Sequence, residues 1–330
     1  DGVGTEPVKV ALSLTIEGER MIIDLDGSSG PVEGSINCGA VQTGSLLRLA
    51  YKTMINPDRA ITGGSFSTME VRIPEKCMFN AKEPAACEWY FTGLGLLADL
   101  MISCLGEAMP HKATAAHYGD SMVAAFFDMD PERGQWISVE PTAGGWGGTV
   151  GQDGESALIN LVNGGFRNLP AEVYETKFPV RVEEFSLRRD SGGAGRWRGG
   201  CGVVRSYRLL DDCFGALWFE RSKTPAWGIR GGSDGAGPDN EIVLPDGSVE
   251  KPLKMRAKRF PKGTLVVTRT GGGGGYGDPR ARPENEVLAD VLAGTISREA
   301  ARSLYGVAVT EDGAIDAANT APRRQEAASN

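Results

Sequence analysis

Three carboxylates lie beside glycines at positions where a strand or a turn ends. Glu140 follows an apparent strand and precedes Pro141 and two glycine pairs, and Asp153 lies in a Gln-Asp-Gly turn. Asp120 closes a His-Tyr-Gly-Asp stretch that begins at His117. Carboxylates on loops that strands hold in place suit general acid or base chemistry. The alternative is that each is a turn acid, which accepts hydrogen bonds from nearby backbone N–H groups.

The sequence has two histidines, His111 and His117. His117 and Asp120 could bind a metal together or act as a base and the group that orients it. Two histidines and scattered carboxylates do not make a full ligand set, so a surface or hydrogen-bonded histidine is the alternative interpretation. We therefore predict Glu140, Asp153 and Asp120 as the catalytic or cavity-lining residues, and no metal or cofactor ligand in this chain.

Two arginines and one cysteine are weaker candidates for chemistry. Arg196 and Arg198 flank a tryptophan in a glycine-rich turn. They could clamp an anion, or they could pair with Asp190 or Glu183. Cys38 has no matched histidine, which is more typical of a small buried apolar residue than of a nucleophile.

The most unusual stretch is the run of five glycines at 271–275, between an apparent strand and a helical pattern that starts near Arg282. It could be a linker, a phosphate-binding loop or closely packed extended backbone. A Walker loop needs Gly-Lys-Ser/Thr, which does not occur, and a Rossmann turn must open a helix, whereas Asp278 and Pro279 intervene. Packed polyproline II segments need glycine where backbones touch. We predict that the run is one strut of a polyproline II-like bundle.

The remaining chain must position these residues, and its hydrophobic periodicity predicts mostly strands. An early hairpin is predicted over 8–25, and strands dominate between residues 110 and 270. No alternation of strands and helices indicates a doubly wound parallel sheet. Predicted helices cover 44–56, 91–108, 283–292 and 297–304.

Composition narrows the class of protein. The chain has 330 residues, 46 of them glycine, and 41% are hydrophobic, which indicates a globular protein. A formal net charge of −8 argues against a nucleic-acid partner. None of the six cysteines forms a Cys-x-x-Cys pair, which favours a reduced, cytoplasmic protein. The apolar run from Phe91 to Leu105 contains Asp99 and is too short to predict a membrane span.

Several motifs, in this order, together resemble the hydantoinase B/oxoprolinase family and cover most of the chain. The stretch at 190–200, Asp-Ser-Gly-Gly-Ala-Gly-Arg-Trp-Arg-Gly-Gly, and the Gly-Gly-Tyr-Gly-Asp-Pro at 274–279 are the most specific. The other matching stretches are 35–38, Glu140-Pro141 with the glycines of 144–148, 221–225, 227–228, 231–232, 297–302 and 305–307.

This resemblance implies a fold and an activity. The expected fold is α+β and mostly β, with barrel-like antiparallel sheets, a glycine-rich polyproline II-like bundle and a few peripheral helices. The implied function is one component of an ATP-dependent cyclic-amide hydrolase that opens a 5-oxoproline- or hydantoin-type ring. Two alternatives stay open: a subunit of an ATP-dependent ketone carboxylase, and a non-catalytic scaffold of such a complex.

The resemblance also implies partners. An actin-like hydantoinase A-type ATPase would hold ATP and Mg²⁺ and activate a small-molecule substrate by phosphorylation. Residues 1–309 resemble only the C-terminal part of a B-type subunit, so its N-terminal half is expected to supply a divalent Zn, Mn or Fe ion, as a separate chain or before cleavage. A soluble hetero-oligomer without membrane contact is expected, and residues 310–330 are predicted to be a disordered tail.

Overall fold

The computed structural model describes residues 6–320, except for the side chain of Arg133. These residues divide into two compact units. The first runs to Ala113 and includes Leu161–Gly164, and the second comprises Thr114–Asn160 and the chain from Gly165 onwards.

The first unit contains a three-stranded sheet and two long helices. β1 (Ser13–Glu17) and β2 (Arg20–Asp24) form the predicted antiparallel hairpin, and β3 (Met69–Arg72) pairs with β2 in parallel. The helices are α1 (Ala40–Met54) and α2 (Tyr90–Ala108). Both helices were predicted, each with small differences at the ends.

The two helices bury one face each and supply most of the first unit's core. The buried positions of α1 fall at helical spacing, and α2 contributes an equally apolar face. These helices are therefore central to their unit, which corrects the expectation of peripheral helices. By length and a mean hydropathy of 1.4, α2 could cross a membrane, but half of that stretch is buried inside the protein, as in an ordinary core helix.

The second unit contains two open sheets. One has the strand order β10-β9-β12-β7-β6 and the other β11-β8-β4-β5, and every neighbouring pair is antiparallel. The expected barrel-like closure is wrong, since each sheet has two unpaired edges among the described residues. The strands are β4 (Val123–Asp128), β5 (Trp136–Glu140), β6 (Val180–Leu187), β7 (Val203–Leu209), β8 (Cys213–Trp218), β9 (Asp239–Val243), β10 (Val249–Glu250), β11 (Lys254–Phe260) and β12 (Leu265–Arg269).

Both sheets of the second unit contribute to one hydrophobic core. Phe126 of β4 and Leu217 of β8 come from one sheet, and Tyr207 of β7 and Val266 of β12 come from the other. The rings of Phe126 and Tyr207 meet edge to face at 5.2 Å. The short helix α3 (Ala171–Lys177), which was not predicted, adds the buried ring of Tyr174.

The glycine run follows β12 and lies in direct contact with backbone on several sides. The N–H groups of residues 272, 273, 274 and 275 donate to four different segments, at the carbonyls of Ala236, Gly200, Ala116 and Ser233, over 2.8–3.0 Å. A Cβ placed on any of these four glycines would lie 1.9–2.2 Å from a carbonyl oxygen. Only glycine permits this separation between backbones.

The last part of the chain packs as two helices and a short ordered segment. α4 (Glu284–Leu292) and α5 (Arg298–Ser303) were predicted, and the Ser297 hydroxyl accepts the N–H of Ala300 at 3.0 Å as the expected cap. Residues 310–320 do not form the disordered tail that was predicted, since Asp316 N–H donates to the Ala308 carbonyl at 2.9 Å. Residues 321–330 lie outside the described residues.

Candidate functional site

Asp120 lies in a buried polar segment of the second unit. One of its carboxylate oxygens accepts the backbone N–H groups of Met122 at 3.2 Å and Glu220 at 3.0 Å. Burial raises the pKa of Asp120 to about 6, and repulsion from Glu220 adds to this, although the backbone N–H groups oppose it. A carboxyl group with this pKa can take up or release a proton near neutral pH.

Tyr118 fixes the same segment from the other side. Its hydroxyl donates to the Thr142 carbonyl at 3.3 Å and accepts the Asn160 backbone N–H at 3.1 Å. The Asn160 amide donates in turn to the Ser121 hydroxyl at 2.8 Å. The Tyr118 ring also occupies the space beside Gly144, where a Cβ would lie 2.3 Å from a ring carbon. The sequence did not indicate that this glycine makes room for a tyrosine.

Glu140 ends β5 and forms a buried ion pair. Its Oε2 accepts from Nη1 of Arg205 at 2.9 Å, and the side chains are 11% and 2% exposed. The Arg205 guanidinium lies over the ring of Tyr207 at 5.2 Å. Since Thr142 N–H donates to the Ser121 carbonyl at 2.8 Å, the segment after Glu140 runs directly beside the Asp120 segment.

Asp153 lies in a separate ion-pair network. Nη1 and Nη2 of Arg282 donate to its two carboxylate oxygens at 2.7 Å each, and the Arg198 backbone N–H donates at 2.9 Å. Arg282 and Arg198 also pair with Asp290, each at 2.9 Å. Burial alone would lower the pKa of Arg282, but these ion pairs outweigh it and hold the pKa above its ordinary value. These contacts indicate that Asp153 holds the chain together here.

The partners predicted for the arginines of the glycine-rich turn were wrong. Arg196 pairs with Glu286 at 2.8 Å, and Arg198 pairs with Asp290. Asp190 accepts instead the backbone N–H of Ser297 at 2.6 Å, and Glu183 pairs with Arg181 at 2.7 Å.

Sequence reasoning missed the two arginines that neutralise the candidate acids. One signal for Arg205 was available, because it alternates with the buried Val203, Tyr207 and Leu209 on one face of β7. A charged residue on the apolar face of a strand usually has a buried partner. Arg282, by contrast, lies 129 positions from Asp153, and no local pattern could connect them.

The described residues contain no group of three or more His, Cys, Asp or Glu side chains that could hold a metal ion. His117 is buried, and its ring meets that of Trp146 edge to face at 5.5 Å. Cys38 is fully buried, and burial raises the pKa of its thiol to about 12, so it behaves as the small apolar residue that was one of its two interpretations.

Comparison with known families gives a match to the Hydantoinase B/oxoprolinase model over residues 1–279. The B-type subunit of a D-/L-hydantoinase from Pseudomonas sp. (strain NS671) is 28% identical over 328 residues, which are 96% of this chain and 54% of that protein. The chain thus spans about half the length of the curated relatives it matches.

Two solved structures share the fold. The ATP-dependent caprolactamase from Pseudomonas jessenii superposes with a TM-score of 0.86 at 26% identity, over 96% of this chain and 56% of that one. A nucleotide-free acetone carboxylase superposes with a TM-score of 0.83 at 20% identity, over 97% of this chain and 48% of that one.

Proposed function

The chain belongs to the hydantoinase B/oxoprolinase family, and we propose that it is one component of an ATP-dependent cyclic-amide hydrolase. The observation that carries this proposal is its likeness to the ATP-dependent caprolactamase, which extends over nearly the whole chain. The substrate class would be a small lactam or cyclic imide, whose ring is opened by water after activation by ATP.

The proposed activity requires further polypeptide. The chain would correspond over residues 1–309 to the C-terminal part of a B-type subunit, which the half-length match to its relatives supports. A hydantoinase A-type subunit would hold ATP and Mg²⁺. The N-terminal half of the B-type subunit would hold a Zn, Mn or Fe ion. The assembly would be a cytoplasmic hetero-oligomer.

The three acids have different proposed roles within such a complex. Asp120 is the best candidate for handling a proton, because its pKa of about 6 keeps both forms accessible near neutral pH. Glu140 would orient the segment beside Asp120 through its ion pair with Arg205. Asp153 would act on the fold alone, since its oxygens already accept from Arg282 and Arg198.

The outer face of β5 supports a partner in this region. Ile137 is 59% and Val139 48% exposed, whereas Ser138 and Glu140 are buried, which reverses the usual pattern of an edge strand. The proposed occupant is the N-terminal half of the B-type subunit. Ile137→Lys should weaken capture of that half, whereas Val249→Lys, at an equally exposed apolar site on β10, should not. Equal capture by both variants would reject this surface.

We also propose that the glycine segments around 271–275 adopt polyproline II conformation. These residues belong to no helix or strand, yet their N–H groups point to several neighbouring segments, as a polyproline II backbone allows. A high-resolution crystal structure should give φ near about −75° and ψ near about +145° for them. Dihedral angles in the β-strand or helical regions would reject this assignment.

The function is tested by reconstituting the chain with its A-type partner and the remaining B-type polypeptide. The mixture should hydrolyse 5-oxoproline, a hydantoin or caprolactam only when ATP is present. Bicarbonate-dependent carboxylation of a ketone without lactam turnover would contradict the hydrolase and identify a carboxylase. Unchanged turnover by Asp120→Asn and Glu140→Gln complexes would show that this chain is a scaffold.

A further inference from the structure

A polar pocket lies in the first unit, where α1 ends and the following loop turns back. Its volume is about 260 Å³. None of the three candidate acids lines it. The lining residues are Tyr51, Lys52, Ile55, Asn56, Arg59, Ala60, Thr62 and Ser65.

Lys52 is the feature of this pocket that needs explanation. It is only 6% exposed, and its ammonium group donates to the Asn56 carbonyl. An ammonium group has three donors, and a buried charge is costly unless an opposite charge or several hydrogen bonds compensate it. Lys52 forms no ion pair with any residue in the part of the chain that the structure describes.

The other polar groups of the pocket have the same character. Arg59 is exposed and forms no ion pair among residues 6–320. The hydroxyl oxygens of Thr62 and Ser65 lie 3.2 Å apart at the pocket wall, where either can donate to a ligand. No carboxylate is among the lining residues, so the pocket presents two positive charges and two hydroxyl groups without a negative charge.

We propose that this pocket binds a small oxyanion, either a phosphate or a carboxylate. Lys52 would supply the buried charge, Arg59 a planar guanidinium that can grip two oxygens, and the two hydroxyls further donors. The volume is below the range of roughly 300–1,000 Å³ that is typical of sites for drug-sized ligands. The ligand is therefore an inorganic ion or carries only a few carbon atoms, which Tyr51 and Ile55 would contact.

Calorimetric titration of the full chain tests this proposal, with inorganic phosphate and glutarate as separate probes at constant ionic strength. At least one probe should bind with one-to-one stoichiometry, and the tighter probe identifies the ligand class. Arg59→Ala should weaken binding about tenfold or more, since a charge-assisted contact is lost. Lys52→Met should abolish binding, and Lys76→Met, at an exposed lysine outside the pocket, should leave it unchanged.

Because Arg59 is exposed, its variant should keep the wild-type melting temperature, so weaker binding would report on the pocket and not on folding. Absence of heat with both probes for a folded wild-type chain would overturn the proposal. Equal affinity of the wild-type, Arg59→Ala and Lys76→Met chains would overturn it too. Lys52 would then serve only to bind the carbonyl that follows α1.

Discussion

Gly273→Ala is the sharpest test of the glycine-packed architecture. The added Cβ would lie 1.9 Å from the Trp146 carbonyl oxygen and 2.1 Å from its carbon. No side-chain rotation relieves this overlap, because both contacts are backbone. The two backbones must therefore separate by more than about 1 Å to reach ordinary van der Waals contact.

Such a separation breaks hydrogen bonds as well as close packing. Gly273 N–H donates to Gly200 at 3.0 Å, and its carbonyl accepts from Gly193 at 2.8 Å. Losing two buried hydrogen bonds costs about 2 kcal/mol, and overpacking adds about 1–3 kcal/mol. The expected loss of about 3–5 kcal/mol is a large part of the roughly 5–15 kcal/mol that ordinarily stabilises a folded protein.

Urea unfolding of the full chain measures this loss, and the chain offers two internal comparisons. A Cβ on Gly271 would meet nothing closer than 3.1 Å, so Gly271→Ala should be much milder. A Cβ on Gly165 meets nothing within 4 Å, so Gly165→Ala should be neutral or stabilise slightly by lowering unfolded-state entropy. A Gly273→Ala protein as stable as Gly165→Ala would refute the packing argument.

Three further substitutions address the buried charges. The raised pKa of Asp120, about 6 against an ordinary 3.8, means that stability falls as pH rises through that interval; Asp120→Asn should remove this fall, which amounts to about 3 kcal/mol, as seen in unfolding curves at pH 4 and pH 7. Arg282→Met should cost roughly 3–5 kcal/mol by stranding the carboxylate of Asp153, and a melting temperature equal to wild type would contradict this. Glu140→Gln should leave Arg205 without its counter-charge and destabilise by about 3 kcal/mol, an effect that chemical denaturation would detect.

Local patterns predicted most helices and strands of this fold. The strands predicted over 180–188 and 203–210 correspond to β6 and β7, because alternating apolar residues report directly on which face a strand buries. The prediction missed β11, whose sequence Lys-Met-Arg-Ala-Lys-Arg-Phe carries four positive charges and little alternation. Its place in the sheet comes from pairing with β8, a long-range contact that no local pattern shows.

Sheet closure could not be predicted for a similar reason. A barrel and a pair of open sheets use strands of the same length and periodicity, and they differ in which edge strands pair. Here β6 and β5 remain edges of their sheets within the described residues. The sequence of each strand reports its buried face but carries little information on the neighbour at its other edge.

The candidate acids show how far residue type alone can lead. Glu140, Asp153 and Asp120 all lie close to glycines, and nothing in their local sequence ranks one above another. Their environments differ through partners distant in sequence, since Arg205 and Arg282 neutralise two of them and burial beside Glu220 leaves the third with a raised pKa. Ranking therefore required the tertiary structure.

The glycine run and the Asp120 segment are mechanically connected. Gly145 N–H donates to the Gly271 carbonyl at 3.0 Å, and the Gly145 carbonyl accepts Tyr118 N–H at 2.9 Å. On the other side, Gly274 N–H donates to the Ala116 carbonyl at 2.8 Å. The segment that carries Asp120 is thus held at two points by backbone bonds that need glycine. A site fixed through backbone keeps its geometry when surrounding side chains change, so proteins with this glycine framework can vary their pockets without moving the acid.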